Sequence, residues 1–265
     1  MNTRLDPILE SVRQRAAERR ARRSLADLRA EAAPDPARRE RFVGGLRRGA
    51  EEGLGFITEC KRRSPSAGAL SGEVDLAARA ASYLEGGSDA LSILTEADHF
   101  GGAPGDLERV AASGLPRLRK DFILDEGMVL ESMAFGADAI LLLAVCLEGS
   151  LLAELRAMAG ELGLAVLLEV HDEAELKRAV EVQPDLLGVN ARDLLTFEVD
   201  LATVERLLPM VPAGPLRIAE SGLREPEDLL RVKSAGADGV LIGEALMRSG
   251  DPCATLRSFR RAVGR

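Results

Sequence analysis

Tryptophan is absent from this 265-residue chain, tyrosine occurs once, and aromatic residues make up 3% of it. So few rings cannot build the stacking platforms that hold single-stranded nucleic acid. Histidine occurs only at His99 and His171, too few for a multi-His metal site. The three cysteines, Cys60, Cys146 and Cys253, have no metal-ligand spacing, and any pair leaves one over. That usage suits a reducing cytosol and not a disulfide framework. Long apolar runs are missing as well. The longest, Ala139 to Leu147, falls far short of the ~20 residues a spanning helix needs. The opening "MNTRLDPILESVRQ" lacks the apolar segment of a secretory signal, and no low-complexity tract follows.

What is present is a chain with 46% apolar residues, enough for one sizeable core, at a length common for an α/β barrel. The net charge of −8 disfavours a whole-chain role on nucleic acid. The charge is uneven. Residues 1–48 hold thirteen Arg against seven acids, a net +6, and the remainder carries −14.

Leu5, Ile8, Leu9 and Val12 recur at helical spacing, so residues 5–33 read as helix, broken at "APDPARR" (33–39) and followed by a second short helix. From Gly55 the pattern changes. Eight short β-rich runs alternate with helical stretches: 55–59, 90–95, 116–120, 138–144, 164–169, 186–190, 216–220 and 238–243. Their spacing averages about 26 residues, which suits a βα unit. Near-continuous apolar strands separated by helices mean a parallel sheet covered on its faces. A doubly wound open sheet competes, but the count of eight and the lack of GxGxxG after the first run favour a closed (β/α)₈ TIM barrel. We expect a helical extension over 1–48, packed on a catalytic barrel over 49–265.

In such a barrel the active site lies at the carboxyl ends of the strands. The runs here end in Glu59 and Lys61, Lys120, Glu169, Asn190 and Arg192, and Glu220. Strand alternation places Glu59 and Lys61 in the mouth together and turns Cys60 outward as a packing residue; it likewise puts Asn190 and Arg192 inside and Ala191 outside. Any one of these could be a solvated strand end. Six or more on one rim are desolvated together and need partners or a task, although an ion-pair network alone is open at this point. "AESGL" (219–223) and "LIGEAL" (241–246) look like a phosphate cradle, with Gly222 and Gly243 letting backbone N–H groups approach an anion; tight turns are the plainer reading, and Glu244 fits the cradle only if its side chain turns away. His171 shares parity with Glu169 and could approach the mouth. The segment "HDEAE" also suits a helix start, with Asp172 and Glu175 as a capping box. His99 sits in the loop "EADHFGGAPGD" and reads as solvated.

The pieces "ECKRRSPSAG", "LTEADHFGG", "LRKDFILD", "GADAILLL", "LLEVHDEAEL", "GVNARDL", "IAESGL" and "LIGEALM" cover all eight strands in order. Together they resemble the indole-3-glycerol phosphate synthase family, (β/α)₈ enzymes of tryptophan biosynthesis. "KRRSPS" with "RKDF" and "NARDL" is specific to it, whereas "AESG" and "IGEAL" are shared by related phosphate-binding barrels. The resemblance implies decarboxylating, dehydrating ring closure of 1-(2-carboxyphenylamino)-1-deoxyribulose 5-phosphate. It implies Lys120 as general acid for ring closure, Lys61 on the substrate carboxylate with a share in proton transfer, and Glu169 as acid/base of the dehydration. Glu59 and Glu220 would hold and polarise the lysines, Asn190 would bind substrate, and Arg192 would sit near the anthranilate end. Ser64, Ser221, Gly222, Gly243 and Glu244 (through its backbone) would surround the phosphate and ribulose groups, with Phe100 and Phe122 against the ring.

Proton delivery by a positioned ammonium suits that chemistry, and burial is expected to lower the pKa of such a lysine toward neutrality. With no ligand-spaced cluster and no dinucleotide fingerprint we expect no metal or cofactor, and the charge, apolar runs and cysteines point to no nucleic acid or membrane and a cytoplasmic site; the expected partner is a small phosphosugar, and the expected state a monomer or weak homo-oligomer. Ala191, Ala103 and Cys60 depart from the residues usual in the family, and the Arg-rich segment before the barrel is more basic than expected. Two rivals are an isomerase-type phosphosugar barrel, which uses a Cys at the end of the first strand, and a non-catalytic phosphometabolite-binding barrel. The outward parity of Cys60 weighs against the first. The complete set of charged strand ends weighs against the second.

Overall fold

The structure, a computed structural model, describes residues 5–64, 68–69, 75–194 and 196–264. Three helices come first: α1 (Asp6–Arg22), α2 (Leu25–Glu31) and α3 (Pro36–Glu51). Strand β1 (Gly55–Cys60) is followed by a small antiparallel hairpin, β2 (Arg63–Ser64) and β3 (Gly68–Ala69). The chain then alternates: α4 (Leu76–Gly86), β4 (Ala90–Leu94), α5 (Asp106–Arg109), β5 (Arg117–Lys120), α6 (Glu126–Ala134), β6 (Ala139–Leu143), α7 (Leu151–Glu161), β7 (Ala165–Val170) and α8 (Glu173–Glu181). It closes with β8 (Leu186–Asn190), α9 (Leu201–Leu207), β9 (Leu216–Glu220), α10 (Pro226–Ser234), β10 (Gly239–Ile242), α11 (Glu244–Arg248) and α12 (Pro252–Ala262). Among the described residues, eight parallel strands form a closed barrel in the order β1-β10-β9-β8-β7-β6-β5-β4. Ile57 of β1 lies opposite Ala90 on one side and Leu241 on the other, which closes the ring. The fold is a TIM barrel.

A sequence device recurs at the amino end of the barrel. Asp89, Asp138, Asp185 and Asp238 stand just before β4, β6, β8 and β10. Their carboxylates accept the backbone N–H of Phe56, Arg117, Val166 and Arg217 in the preceding strands, at 2.8–2.9 Å. Each locks one strand start to the next. This is the face of the barrel where conserved chemistry would serve stability rather than catalysis.

The expected helix over 5–33 is two helices. Ser24 Oγ accepts from Asp27 N at 3.2 Å while the Asp27 carboxylate accepts from Ser24 N at 3.1 Å, a reciprocal cap that starts α2 afresh. The helix after the break is not short either. Asp35 caps it, Pro36 fills its first turn, and it runs sixteen residues to Glu51. Phe42 and Leu46 of α3 are fully buried, and α3 packs against β1. Arg39 and Arg41 reach Asp185 (2.5 Å) and Asp138 (2.7 Å) at the strand starts, so α3 floors the barrel. At the other end of the extension, Ile8, Val12 and Ala16 of α1 are buried, and Ser11 and Arg15 hold Asp98 in the loop after β4. Those surface ion pairs add little by themselves. Burial of the apolar face carries the helix, at ~1.5–3 kcal/mol for each large side chain.

Candidate active site

Strand alternation brings the charged ends together. Lys61 Nζ donates to Glu59 Oε1 at 2.8 Å across one turn of the pleat. Cys60, between them, is buried on the other face beside Tyr83 and Arg79 of α4, and burial pushes its thiol up to about 12. A thiol held protonated there is no nucleophile. Across the mouth, Lys120 Nζ donates to Glu169 Oε2 at 2.9 Å and to Glu220 Oε2 at 3.0 Å. Asn190 Nδ2 donates to Glu169 Oε1 at 2.8 Å, and its own Oδ1 accepts from Arg192 N at 2.9 Å. Glu59, Lys61, Lys120, Glu169, Asn190, Arg192 and Glu220 line one cavity at the carboxyl ends of the strands.

The lysine does not behave as burial alone predicts. Burial pulls the Lys120 pKa down, but the carboxylates of Glu169, Glu220 and Glu59 outweigh it and hold the ammonium above the usual lysine range. The expected drop toward neutrality is therefore corrected: three acids face one amine, and their field wins. The two acids that share Lys120 are pushed apart. Burial opposes ionisation of Glu169, yet Lys120, then His171 and Asn190, hold it below the usual range. Burial raises Glu220, the charge of Glu169 adds to that, and Lys120 only partly offsets it. The two acids that share Lys120 are thus shifted in opposite directions, the pattern by which one site can hold groups of different acidity.

The two turns expected to form a phosphate cradle lie beside them. Ser221 and Gly222 line the cavity with φ of +66° and +74°. A non-glycine residue in the left-handed region is a strained backbone, and such strain collects at ligand sites. Gly243 and Glu244 open α11 against the same cavity. Gly243 has an ordinary φ of −129°, but a Cβ there would meet Glu59 Oε1 at 2.5 Å. It is bare to make room for the Glu59 carboxylate, whatever it does for an anion. The Glu244 side chain turns to Arg248 (3.2 Å) and Arg192 (3.8 Å). Phe100 and Phe122 line the apolar wall. The side chain of Ser64 lies outside the described part of the structure.

Several residues of the site went unread in the sequence. Glu96 and Phe197 line the cavity. Glu96 accepts the N–H groups of Asp98, His99 and Phe100 and so shapes the loop that carries Phe100. His99 is not simply solvated, since its Nδ1 lies 3.2 Å from Glu96 Oε1. The expected capping box at "HDEAE" is only half made. Asp172 accepts from Glu175 N at 2.8 Å, but the Glu175 carboxylate accepts from His171 N, because the imidazole beside it draws it there. Gly188 leaves space for the Glu220 carboxylate. Among the described residues no cluster of three or more His, Cys, Asp or Glu is arranged to hold a metal ion.

Comparison with known proteins bears on this geometry. The sequence model of the family described as indole-3-glycerol phosphate synthase matches residues 5–259. A protein of that name from Parafrankia sp. (strain EAN1pec) is 46% identical over 251 residues, covering 94% of this chain and 91% of the relative. Those from Streptomyces griseus and Mycobacterium tuberculosis are 45% and 44% identical, covering 95% of this chain and 93% and 92% of theirs. Among solved structures, tryptophan synthase from M. tuberculosis aligns with a TM-score of 0.62 at 14% identity, over 83% of this chain and 98% of that one. Thiamine phosphate pyrophosphorylase from Pyrococcus furiosus aligns with a TM-score of 0.61 at 18% identity, over 82% and 97%. At such identities the two structures speak for the fold alone.

Proposed function

The chain belongs to the indole-3-glycerol phosphate synthase family, and we propose that the five ionisable residues Glu59, Lys61, Lys120, Glu169 and Glu220 perform that family's ring closure. The activity is the synthesis of indole-3-glycerol phosphate in tryptophan biosynthesis, a carboxy-lyase reaction. The substrate is 1-(2-carboxyphenylamino)-1-deoxyribulose 5-phosphate. Its carboxylate-bearing ring carbon attacks the ribulose ketone, carbon dioxide leaves, and loss of water completes the indole.

Lys120 is the general acid that protonates the ketone oxygen as the new bond forms. The observation that carries this is its contact with both Glu169 and Glu220 at 2.9 and 3.0 Å, which keeps it charged and aimed into the cavity. Loss of the carboxylate leaves electrons that the substrate's own nitrogen has accepted. In the dehydration the Glu169 carboxylate takes the proton from the ribulose carbon next to nitrogen, and the hydroxyl leaves as water with a proton from the Lys61 ammonium, which so shares in proton transfer. Lys61 meets the substrate carboxylate, and Glu59 orients it. Glu220 holds Lys120, Asn190 orients Glu169 and touches substrate, and Arg192 lies toward the anthranilate end. The Ser64, Ser221, Gly222, Gly243 and Glu244 backbone region receives the ribulose and phosphate, with Phe100 and Phe122 on the ring.

The extension over 1–48 serves as part of this site, since α1 holds Asp98 in the loop that carries Phe100. No helix among the described residues is long and apolar enough to cross a membrane. The cysteine usage suits a cytoplasmic enzyme and the net charge weighs against nucleic acid as a partner, and we take the chain to act on a small phosphosugar as a monomer or weak homo-oligomer. Incubation with the carboxyphenylamino-ribulose phosphate, with and without EDTA, should give indole fluorescence at equal rates. No fluorescence, or activity that returns only with a divalent metal, overturns the reading.

A further inference from the structure

His171 stands directly behind Glu169 and takes no part in the chemistry above. Its Nε2 is 3.2 Å from Glu169 Oε1, close but off the hydrogen-bond direction, and its Nδ1 is 3.0 Å from Glu175 Oε2. Both carboxylates are buried, Glu169 at 2% and Glu175 at 8% exposure. A neutral imidazole has one N–H, so between two ionised carboxylates it must point a lone pair at one of them. An imidazolium can donate its Nδ1 proton to Glu175 while its charge faces Glu169 at 3.2 Å. Glu175 is itself tied down, because it also accepts His171 N at 2.8 Å while its own N–H goes to Asp172.

The asymmetry of the site gives this placement a meaning. Glu169 and Glu220 share Lys120 almost equally, at 2.9 and 3.0 Å, and one cation cannot keep two buried carboxylates ionised. His171 touches Glu169 and not Glu220. We propose that His171, held as an imidazolium by Glu175, is the positioning residue that selects Glu169 over Glu220 as the ionised base of the site. This rests on the proposed role of Glu169.

The surroundings agree. Burial would lower the imidazole pKa, but its contacts with Glu169 and Glu175 outweigh that and raise it to about 10. From the turn after β6, Cys146 is the nearby titratable group, and burial followed by the charges of Glu169 and Glu175 pushes it up to about 12, so it stays neutral. Arg178 of α8 is turned away onto the carbonyls of Ala144 and Leu147, and Arg13 of α1 acts on the same turn. Across the barrel, Lys120 and Asn190 occupy the remaining contacts of Glu169.

The sign of the effect follows. Glu169 is active when ionised, so the rate falls as pH drops through its pKa. Removing the cation raises that pKa, and an opposite charge at this distance is worth roughly 1–3 pH units. Single-turnover rates from pH 4.5 to 9 should be flat at the acid end in wild type, whose limb lies below that range, and should show a limb raised by roughly that amount in His171→Gln and His171→Phe, and by less in Glu175→Gln. Nitrogen-15 NMR of the wild-type ring at pH 8 should show both nitrogens protonated, a readout that needs no variant to fold. A neutral ring at that pH, or variants slowed by one factor at all pH values with an unmoved limb, overturns the proposal. If Glu169→Gln keeps the wild-type rate, the role given to Glu169 fails and His171 has no base to select, even though the ring signal is unchanged; the two failures are thereby told apart.

Discussion

Gly188→Ala adds a single methyl group at the centre of the site and tests the arrangement of Lys120. Gly188 lies on β8 opposite Ile218, with its missing side chain facing the acid of the next strand. A Cβ there would overlap Glu220 Oε1 and lie 3.2 Å from Glu220 Cδ and from Leu167 Cδ1. Ordinary non-bonded separation requires the carboxylate to move on the order of 1 Å. Glu220 cannot do this freely, because rotating Oε1 away from the methyl takes Oε2 off Lys120. A displacement of that size can cost ~10²-fold in rate, so the single-turnover rate should fall by about that factor. Overpacking costs ~1–3 kcal/mol, and the reduced freedom of the unfolded chain returns ~0.4–1. A net loss of ~1–2 kcal/mol lowers Tm by roughly 2–8 °C. Stopped-flow fluorescence gives the rate, and urea unfolding gives the stability of wild type, Gly188→Ala, Glu220→Ala and the double variant. If the clash is the cause, adding the methyl to Glu220→Ala should cost little stability. A Gly188→Ala enzyme with normal rate, or an equal penalty in both backgrounds, refutes the reasoning.

Lys120→Met should lower kcat by roughly 10²–10⁴ with a modest change in KM, and Lys61→Met should raise KM more; steady-state and single-turnover kinetics on the folded variants decide, and the reverse pattern exchanges their roles. Glu220→Gln should gain stability on wild type as pH rises. A carboxyl whose folded pKa is raised contributes stability below its unfolded value of ~4.3 and loses it as pH climbs through the folded one. Thermal scans at pH 5 and 8 read this, and a gap that shrinks at pH 8 contradicts the raised carboxyl. Deleting residues 1–23 should leave a folded barrel with a raised KM, because it removes the helix that holds Asp98. Deleting 1–45 should unfold the chain, because it removes Phe42 from the core, and circular dichroism distinguishes the two.

The barrel was legible because its cause is local. Each apolar run is a strand buried on both faces, and each ends where the rim begins, so eight repeats and a parity argument suffice to place Glu59, Lys61, Lys120, Glu169, Asn190, Arg192 and Glu220 around one cavity. What was not legible depends on partners distant in the chain. The direction of the Lys120 shift is set by acids 49 and 100 residues away. The bareness of Gly188 and Gly243 is explained only by the carboxylates of Glu220 and Glu59 across the neighbouring strands. The start of α2 was the opposite case. Ser24 and Asp27 form a capping signature visible in the sequence, and the helical periodicity around them hid it. The Arg-rich segment gains its sense from Asp138 and Asp185, which lock strand starts and need cations beside them.

A network of charges can serve stability alone, and the geometry of this one speaks against that. A purely structural cluster would satisfy each buried oxygen, since an unpaired buried acceptor costs ~1–3 kcal/mol. Here Glu220 Oε1 is buried with no hydrogen-bond partner among the described residues, in space that exists only because residue 188 carries no side chain. Stability would be better served by apolar residues of similar volume, which commonly replace buried ion pairs at no loss. The left-handed backbone of Ser221 adds strain at the same rim. The fold tolerates both on the carboxyl side of the barrel, while on the amino side the aspartates before β4, β6, β8 and β10 each accept a backbone N–H. The unpaired Glu220 oxygen and the left-handed Ser221 thus lie at the rim with the cavity, and the strand-locking aspartates lie at the other end, which is the division expected when one end does chemistry and the other holds the barrel together.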